Sequence, residues 1–177
     1  MKNDLKYKIR PLKWDDFFDF CKLQRELNTE MKRNPKLTMG GYKKRITYDY
    51  LTSTFSKLYA DMITKKATVL VAEVDKHFIG YSAIIIVDGV DIDHIGGLEY
   101  AIMKKYRQNG IGTKLINENL KKLPKNCEII CARTHSNNII SKILLKKFGF
   151  KSYSYAPRFV KRDKVYLDVE DFYLRIK

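Results

Sequence analysis

Histidine, cysteine and proline are scarce in this 177-residue chain, and each scarcity removes a class of chemistry. The three cysteines, Cys21, Cys127 and Cys131, are odd in number and lack the paired spacing of a zinc site. Cys127 and Cys131 stand four apart on an expected strand, and one or both are expected in the core. A disulfide framework is therefore not expected, no metal site is read, and the compartment is read as reducing and cytoplasmic. No uninterrupted apolar run reaches the roughly 18–20 residues that span a bilayer, so a membrane partner is not expected. The opening MKNDLKYKIR leads into a mixed polar pattern and not into the apolar core of a signal peptide. The four prolines and nine glycines form no linker and no low-complexity stretch, and no repeat is visible, so residues 1–177 read as a single domain.

Acidic residues are also few, but unevenly so. The net charge of +15 divides into +8 over residues 1–66, −5 over 67–100 and +12 over 101–177. A basic half suits a polyanion, either nucleic acid or a phosphate-bearing cofactor, while lysine used as generic solvated surface is the plain alternative. The acidic middle would interrupt a continuous basic track. The chain also has no helix-turn-helix signature, no Cys/His zinc pattern and no RNP-like aromatic string, so a nucleic-acid partner is not expected.

What the chain does have is clear periodicity. Lys6–Leu12 alternates as a first strand ended by Pro11. Trp14–Leu27 reads as a helix with Asp15 and Asp16 in its first turn and Trp14, Phe17, Phe18, Cys21 and Leu27 on its apolar face. Asn34-Pro35 and Gly40-Gly41 mark a loop, and a second helix is predicted from about Arg45 to Thr64. Ala67–Val74 and Phe78–Val87 form a hairpin across Asp75-Lys76-His77. After a turn at 88–91, His94–Met103 is a further strand, in which Gly96-Gly97 suggests a bulge or a close backbone approach. Ile111–Leu123 is a helix stopped by Pro124, Glu128–Arg133 a strand, and Asn138–Phe148 a helix closed by Gly149. Phe150–Ile176 is a strand pair turning near 162–164. The order β-α-α-β-β-β-α-β-α-β-β predicts an α/β fold with a mixed sheet and helices on both faces.

One stretch carries chemistry. The strand ending at Met103 passes through Lys104-Lys105-Tyr106 into Arg107-Gln108-Asn109-Gly110-Ile111-Gly112 and directly into a helix. Unsatisfied N–H groups and the helix dipole favour an anion there. Two glycines admit a bulky ligand to the backbone, and Lys104, Lys105 and Arg107 supply positive charge; the assembly suits a diphosphate. A Rossmann fingerprint would need a third glycine where Leu115 stands, and no Gly-x-x-x-x-Gly-Lys-Ser/Thr string exists. The remaining pattern, Arg/Gln-x-x-Gly-x-Gly/Ala, resembles that of the GNAT superfamily of N-acetyltransferases and matches in full. Asn138 through Leu145 to Gly149-Phe150 resembles the second half of the same signature. The resemblance is close from about Ala67 to Phe150 and weaker elsewhere.

That resemblance implies a GNAT-like acyl-CoA N-acyltransferase fold, with a mostly antiparallel sheet of six to seven strands. It also implies acetyl-CoA as cosubstrate and an amine acceptor. By spacing, Tyr100, Ala101 and Ile102 would bond the pantetheine arm through their backbone. Gln108, Asn109, Gly110, Ile111, Gly112 and Thr113 would meet the diphosphate, and Arg107 is placed with them among the cofactor-binding residues. Asn138 would contact the pantetheine or order the site. Lys142, Lys146 and Lys147 could reach the 3′-phosphate, or could be the solvated face of their helix. A homodimer is one expected assembly, since dimers are common in families of this kind.

The reaction needs a proton taken from the amine and a stabilised oxyanion, for which the N–H of Ile102 is the candidate. Glu99 and His94 are the candidate bases, with His135 third. Strand alternation puts His94 and Tyr100 on one face and Glu99 on the other unless a bulge resets the phase. The departing thiolate is commonly served in the family by a Tyr seven residues after the Asn, where this chain has Leu145. Tyr153 and Tyr155 are candidate acids in its place. Asp88, Asp91 and Asp93 suggest a cationic acceptor: a peptide N-terminus, a polyamine, an aminoglycoside-like antibiotic or a lysine side chain. An acyl-CoA-binding module of the same fold with little turnover is the alternative that Leu145 raises.

Overall fold

Seven strands form one sheet in the order β1-β2-β3-β4-β5-β7-β6. The structure is a computed structural model and describes residues 5–34 and 45–176. Strand β1 (Lys8–Pro11) leads through a 3-10 turn at Trp14–Asp16 into helix α1 (Phe17–Arg33), followed by helix α2 (Tyr48–Ile63). Then come β2 (Ala67–Val74), β3 (His77–Ile86), β4 (Ile95–Ile102) and helix α3 (Ile111–Leu120). Strand β5 (Ile129–His135), helix α4 (Ile139–Lys147), β6 (Lys151–Arg162) and β7 (Val165–Arg175) complete the chain. Every neighbouring pair is antiparallel except β4 with β5. The expected loop at Pro35 and Gly40-Gly41 lies outside the described residues.

Alternation along the central strands sorts the core into two layers. Ala67, Val69 and Val71 of β2 and Tyr81 and Ala83 of β3 face α1 and α2, where Phe20, Leu23, Phe55 and Leu58 cover them. Leu70, Ala72 and Val74 face the other way, against Ile111 and Leu115 of α3. Ile84, Leu98, Ile130 and Phe172 meet Ile116 and Leu145 on that same side, so α3 and α4 share the second face. Helix α2 starts where the Thr47 side chain accepts the Tyr50 N–H at 3.2 Å. Arg10 ties the sheet edge to α1 through both oxygens of Asp16, each at 2.7 Å, and through Glu73.

Two expectations are corrected. Helix α1 runs past Leu27 to Arg33, because Leu23, Leu27 and Met31 continue the inward stripe while the buried, polar Asn28 hides it in the sequence. Helix α3 stops at Leu120 and not at Leu123. Of the two readings of Gly96-Gly97, a bulge or a close approach, the structure has the close approach and no bulge. Pairing of β4 with β3 is regular from Gly80↔Ile102 to Ile86↔Gly96, and the irregularity falls between β2 and β3 at Ala72/Glu73. Gly96 is there for close approach: a Cβ would lie 2.8 Å from Ile84 Cγ2 and 3.0 Å from Cys127 Sγ. Without a bulge, Glu99 and Tyr100 keep opposite faces. No described helix is long and apolar enough to cross a membrane.

Candidate active site

Strands β4 and β5 pair at only three positions, Ile95↔Ile129, Gly96↔Ile130 and Gly97↔Cys131. Beyond Gly97 they diverge: β4 stays with β3 as far as Ile102, and β5 stays with β7 as far as His135. The result is a V that opens toward the C-terminal end of β4. Val87 donates to the carbonyl of Ile95 at 2.8 Å, which sets the alternation of the ladder. Gly97, Glu99 and Ala101 then bond to β3, and Leu98, Tyr100 and Ile102 turn their backbone groups into the V. Ala101 therefore spends its backbone on β3, and Tyr100 and Ile102 are the members of the expected trio that face the opening. A ligand with alternating amides, laid along this edge, would complete the missing ladder.

The loop above the V opens helix α3 with its N–H groups free. Gln108 (φ 64°) and Gly110 (φ 73°) are both left-handed, and Gly110 caps α3 without a side-chain hydrogen bond. The first helical bond runs from Lys114 N to Gly110 O at 3.0 Å, leaving the N–H groups of Ile111, Gly112 and Thr113 ahead of the helical ladder. A Cβ on Gly110 would meet nothing within 4 Å, so this glycine answers to its backbone angle and the space before it is open. At Gly112 a Cβ would only just touch Ile102 and Leu144, at 4.0 Å. Asn109 folds its side-chain amide back onto the carbonyls of Tyr106 and Arg107, which fixes the turn. These groups fit an extended ligand with a diphosphate at one end.

Arg107 departs from the expectation. Its guanidinium does not line the phosphate loop: Nε donates to the Ile102 carbonyl at 2.8 Å, and Nη2 pairs with Glu30 at 2.7 Å. A second tie runs from Lys104 N to Glu26 Oε1 at 2.6 Å. Helix α1 thus holds the loop at two points one turn apart. Glu26 and Glu30 escaped sequence reading because Glu30 lies beyond the expected helix end, although an i, i+4 carboxylate pair was the available signal. Lys105 rests over the Tyr106 ring, 4.6 Å from its centre. On α4, Lys142 is engaged by Glu170 at 2.6 Å and by Ser136 O, while Lys147 is exposed and makes no ion pair among the described residues.

Glu99 stands on the α1/α2 side of the V. Its carboxylate reaches solvent, yet the surrounding protein raises its pKa, an effect that a hydrogen bond from Tyr81 partly offsets. Tyr81 is buried beneath it, its own pKa pushed up by burial and then by the charge of Glu99, with Gln24 of α1 as a further partner. The remaining candidates are not brought to the opening. His94 sits at the closed end of the V, where its carbonyl accepts from Glu128 and Ile129, ~20 Å along the strand from Tyr100. Asp88, Asp91 and Asp93 occupy the turn at that same closed end, and Asp88 is within 3.4 Å of Lys66. His135 is fully buried, 3.0 Å from the guanidinium of Arg162.

The candidate acids fare similarly. Tyr153 and Tyr155 lie on β6, the outermost strand, three strand spacings or ~14 Å from β4. Tyr155 donates to Asp168, which raises its pKa, and Tyr153 packs edge-on against Tyr173 at 5.8 Å, beside Cys131. On the other face, Asn138 caps α4: its side-chain oxygen accepts from Ser141 N at 3.2 Å. Leu145 is buried in the core with Ile116, Phe150 and Phe172. Two surface hollows of about 430 and 500 Å³ lie near Pro11 and Leu123 and near Tyr7 and Lys122, away from the V.

The sequence matches the model of the acetyltransferase (GNAT) family over residues 25–150. No curated protein matches it. Solved structures share the fold. An acetyltransferase of the GNAT family from Streptococcus pneumoniae superposes with a TM-score of 0.81 at 18% identity, covering 97% of this chain and 100% of that one. A Salmonella typhimurium protein solved with its cofactor acetyl-CoA gives 0.78 at 16%, covering 97% and 94%. The ribosomal-protein-alanine N-acetyltransferase of Brucella melitensis gives 0.78 at 18%, covering 96% and 99%.

Proposed function

This chain belongs to the acetyltransferase (GNAT) family, whose acyl donor is acetyl-CoA, and from that premise we propose that it acetylates a primary amine by direct attack within a ternary complex. One observation carries the proposal: β4 and β5 part beyond Gly97↔Cys131 directly below an uncapped, Gly110-headed helix. Such an arrangement offers a backbone edge for the amides of pantetheine and a ring of N–H donors for the diphosphate. Gln108, Asn109, Gly110, Ile111, Gly112 and Thr113 form the loop side of this site, and Arg107 holds it in place. Asn138, which heads α4, and the exposed Lys147 border the second face.

The chemistry divides between the faces. An alkylammonium with a pKa of about 10 must lose a proton before it attacks. Glu99, accessible and raised in pKa, is the base for that step, directly or through one water. The N–H groups of Tyr100 and Ile102 point into the V and are the oxyanion donors. The acceptor enters from the α1/α2 side, where Glu99 favours a cationic amine: a small amine, an antibiotic or a peptide or protein amine. The whole of residues 1–177 serves as one catalytic domain in this reading. The test is acetyl-CoA-dependent thiol release with a panel of such amines. Turnover with at least one, cut about a hundredfold in Glu99→Gln, supports the reading; CoA binding with no turnover across the panel would favour a binding module instead.

A further inference from the structure

Glu99 and Tyr81 are diagonal neighbours on the α1/α2 face of the sheet. Register sets Tyr81 opposite Ala101 and Glu99 opposite Ala83. Both direct partners are alanines, so nothing fills the space between the two long side chains, and a diagonal pair lies within their reach. Ala101 stands two residues nearer the open end of the V than Glu99, so a partner level with it draws the carboxylate that way. The Tyr81 ring is itself fixed. Phe20 of α1 lies 6.1 Å from it and Phe78 stacks on it at 6.2 Å. Gln24, one helical turn after Phe20, meets the hydroxyl from the same stripe of α1. The two partners act on the phenol in opposite senses, Gln24 lowering its pKa and Glu99 raising it. Such opposition follows when the oxygen accepts from the amide and the O–H is given to the carboxylate.

We propose that Tyr81 is a positioning residue for Glu99: its O–H, aimed by Gln24, holds the carboxylate at the open end of the V, where the acceptor amine arrives. The proposal rests on the acetyl-transfer reading above, in which Glu99 takes the amine proton and passes it to solvent. Tyr81 transfers no proton. Burial and then the charge of Glu99 push its pKa upward, so the phenol stays protonated and acts as a fixed dipole. The bond favours the ionised carboxylate and so holds down a pKa that the surrounding protein raises. Without it Glu99 would titrate higher still, and its side chain would be free to leave the opening. Tyr50 of α2 is the other titratable group that Tyr81 feels, and on the second arm of the V Arg133 is engaged by Asp171 at 2.6 Å. Phenols and guanidinium groups change charge far above the carboxylate range, so a pH series through that range reports Glu99.

The test reads the Glu99 midpoint twice in the full chain and in Tyr81→Phe, which keeps the ring and its packing. One readout is the carbon-13 shift of labelled glutamate carboxyls, with Glu99→Gln identifying the signal. The other is the pH profile of kcat/KM for the amine. Losing one hydrogen bond to a charged group should move both midpoints upward by about one unit, and so lower kcat/KM about tenfold on the acid side. Affinity for CoA should be unchanged, since Tyr81 does not touch the phosphate loop. Gln24→Leu, which leaves the phenol in place but unaimed, should move both midpoints the same way by less, and it carries the test if Tyr81→Phe does not fold. The proposal is overturned if the carboxyl midpoint stays where it is in the wild type, an outcome that leaves the acetyl-transfer reading standing. A loss of kcat/KM equal at every pH would mark a packing role and overturn it as well. If the carboxyl midpoint moves while the activity profile does not, Glu99 is not the base, and that reading of the reaction fails and takes this proposal with it.

Discussion

The guanidinium of Arg107 bridges the carboxylate of Glu30, 2.7 Å away, and the carbonyl of Ile102, 2.8 Å away. A residue in the signature loop therefore faces backward, binding α1 to the last carbonyl of β4. Its positive charge is neutralised by protein. Its part in ligand binding is to hold the loop and the edge of the V in register, while the loop amides meet the anion.

Glu30→Gln loosens that clamp. The pair is only partly shielded, so its direct share of stability is small, about 1 kcal/mol at most. Affinity for CoA should fall about fivefold, which corresponds to ~1 kcal/mol. Calorimetric titration of the variant, with Glu118→Gln as a remote control, checks this.

The two loop glycines should respond oppositely to alanine. Gly110 has φ 73°, so Gly110→Ala places a side chain in the left-handed region and costs ~1 kcal/mol. Gly112 is helical and its Cβ would meet only ordinary contacts at 4.0 Å, so Gly112→Ala should raise stability by ~0.5 kcal/mol. Urea denaturation of the pair measures both signs.

Glu99 links activity to stability. Its pKa is raised on folding, so the folded chain holds its proton more tightly than the unfolded one. Stability therefore falls as pH rises from the ordinary glutamate range through the raised value. Glu99→Gln removes that loss: the variant should be the more stable protein at neutral pH, and the two should converge in acid. The same substitution should cut kcat/KM by about a hundredfold and abolish the rise of activity with pH through the Glu99 pKa. Thermal melts and initial rates across one pH series test both statements.

Leu145→Tyr tests whether the family's usual residue can be restored. Leu145 is 1% exposed among Phe150, Phe172 and Ile116, so a phenol overpacks the core and costs about 1–3 kcal/mol. No gain in kcat should accompany it. A rate increase would show that the helix can turn this position toward the opening.

Much of this was legible beforehand. Element order and type followed from period-2 runs such as Ala67–Val74 and from the Gly110 and Gly149 punctuation, because local sterics and burial decide those signals. The left-handed Gly110 at the head of α3 was legible for the same reason. What escaped were relationships between distant segments. Arg107 looked like a phosphate ligand until α1 proved long enough to bring Glu30 to it. His94 and the aspartates at 88–93 looked near the site because they precede β4. They lie at its closed end because the V opens in the direction of chain travel. Tyr153 and Tyr155 followed the Asn-headed helix in sequence, but β7 inserts between β5 and β6 and carries them outward. The two left-handed residues of the β2–β3 turn, Asp75 and Lys76, were likewise hidden, since neither is glycine or asparagine.

The claim on which the rest depends is that amides at positions 108–113 grip a diphosphate. Calorimetric titration of CoA, set beside pantetheine, which has the same arm without the diphosphate, tests it directly. One saturable site per chain for CoA, with pantetheine weaker by at least a hundredfold and CoA binding lost in Gly112→Glu, is the predicted result. Equal affinity for the two ligands, or CoA binding that survives the glutamate, would contradict it.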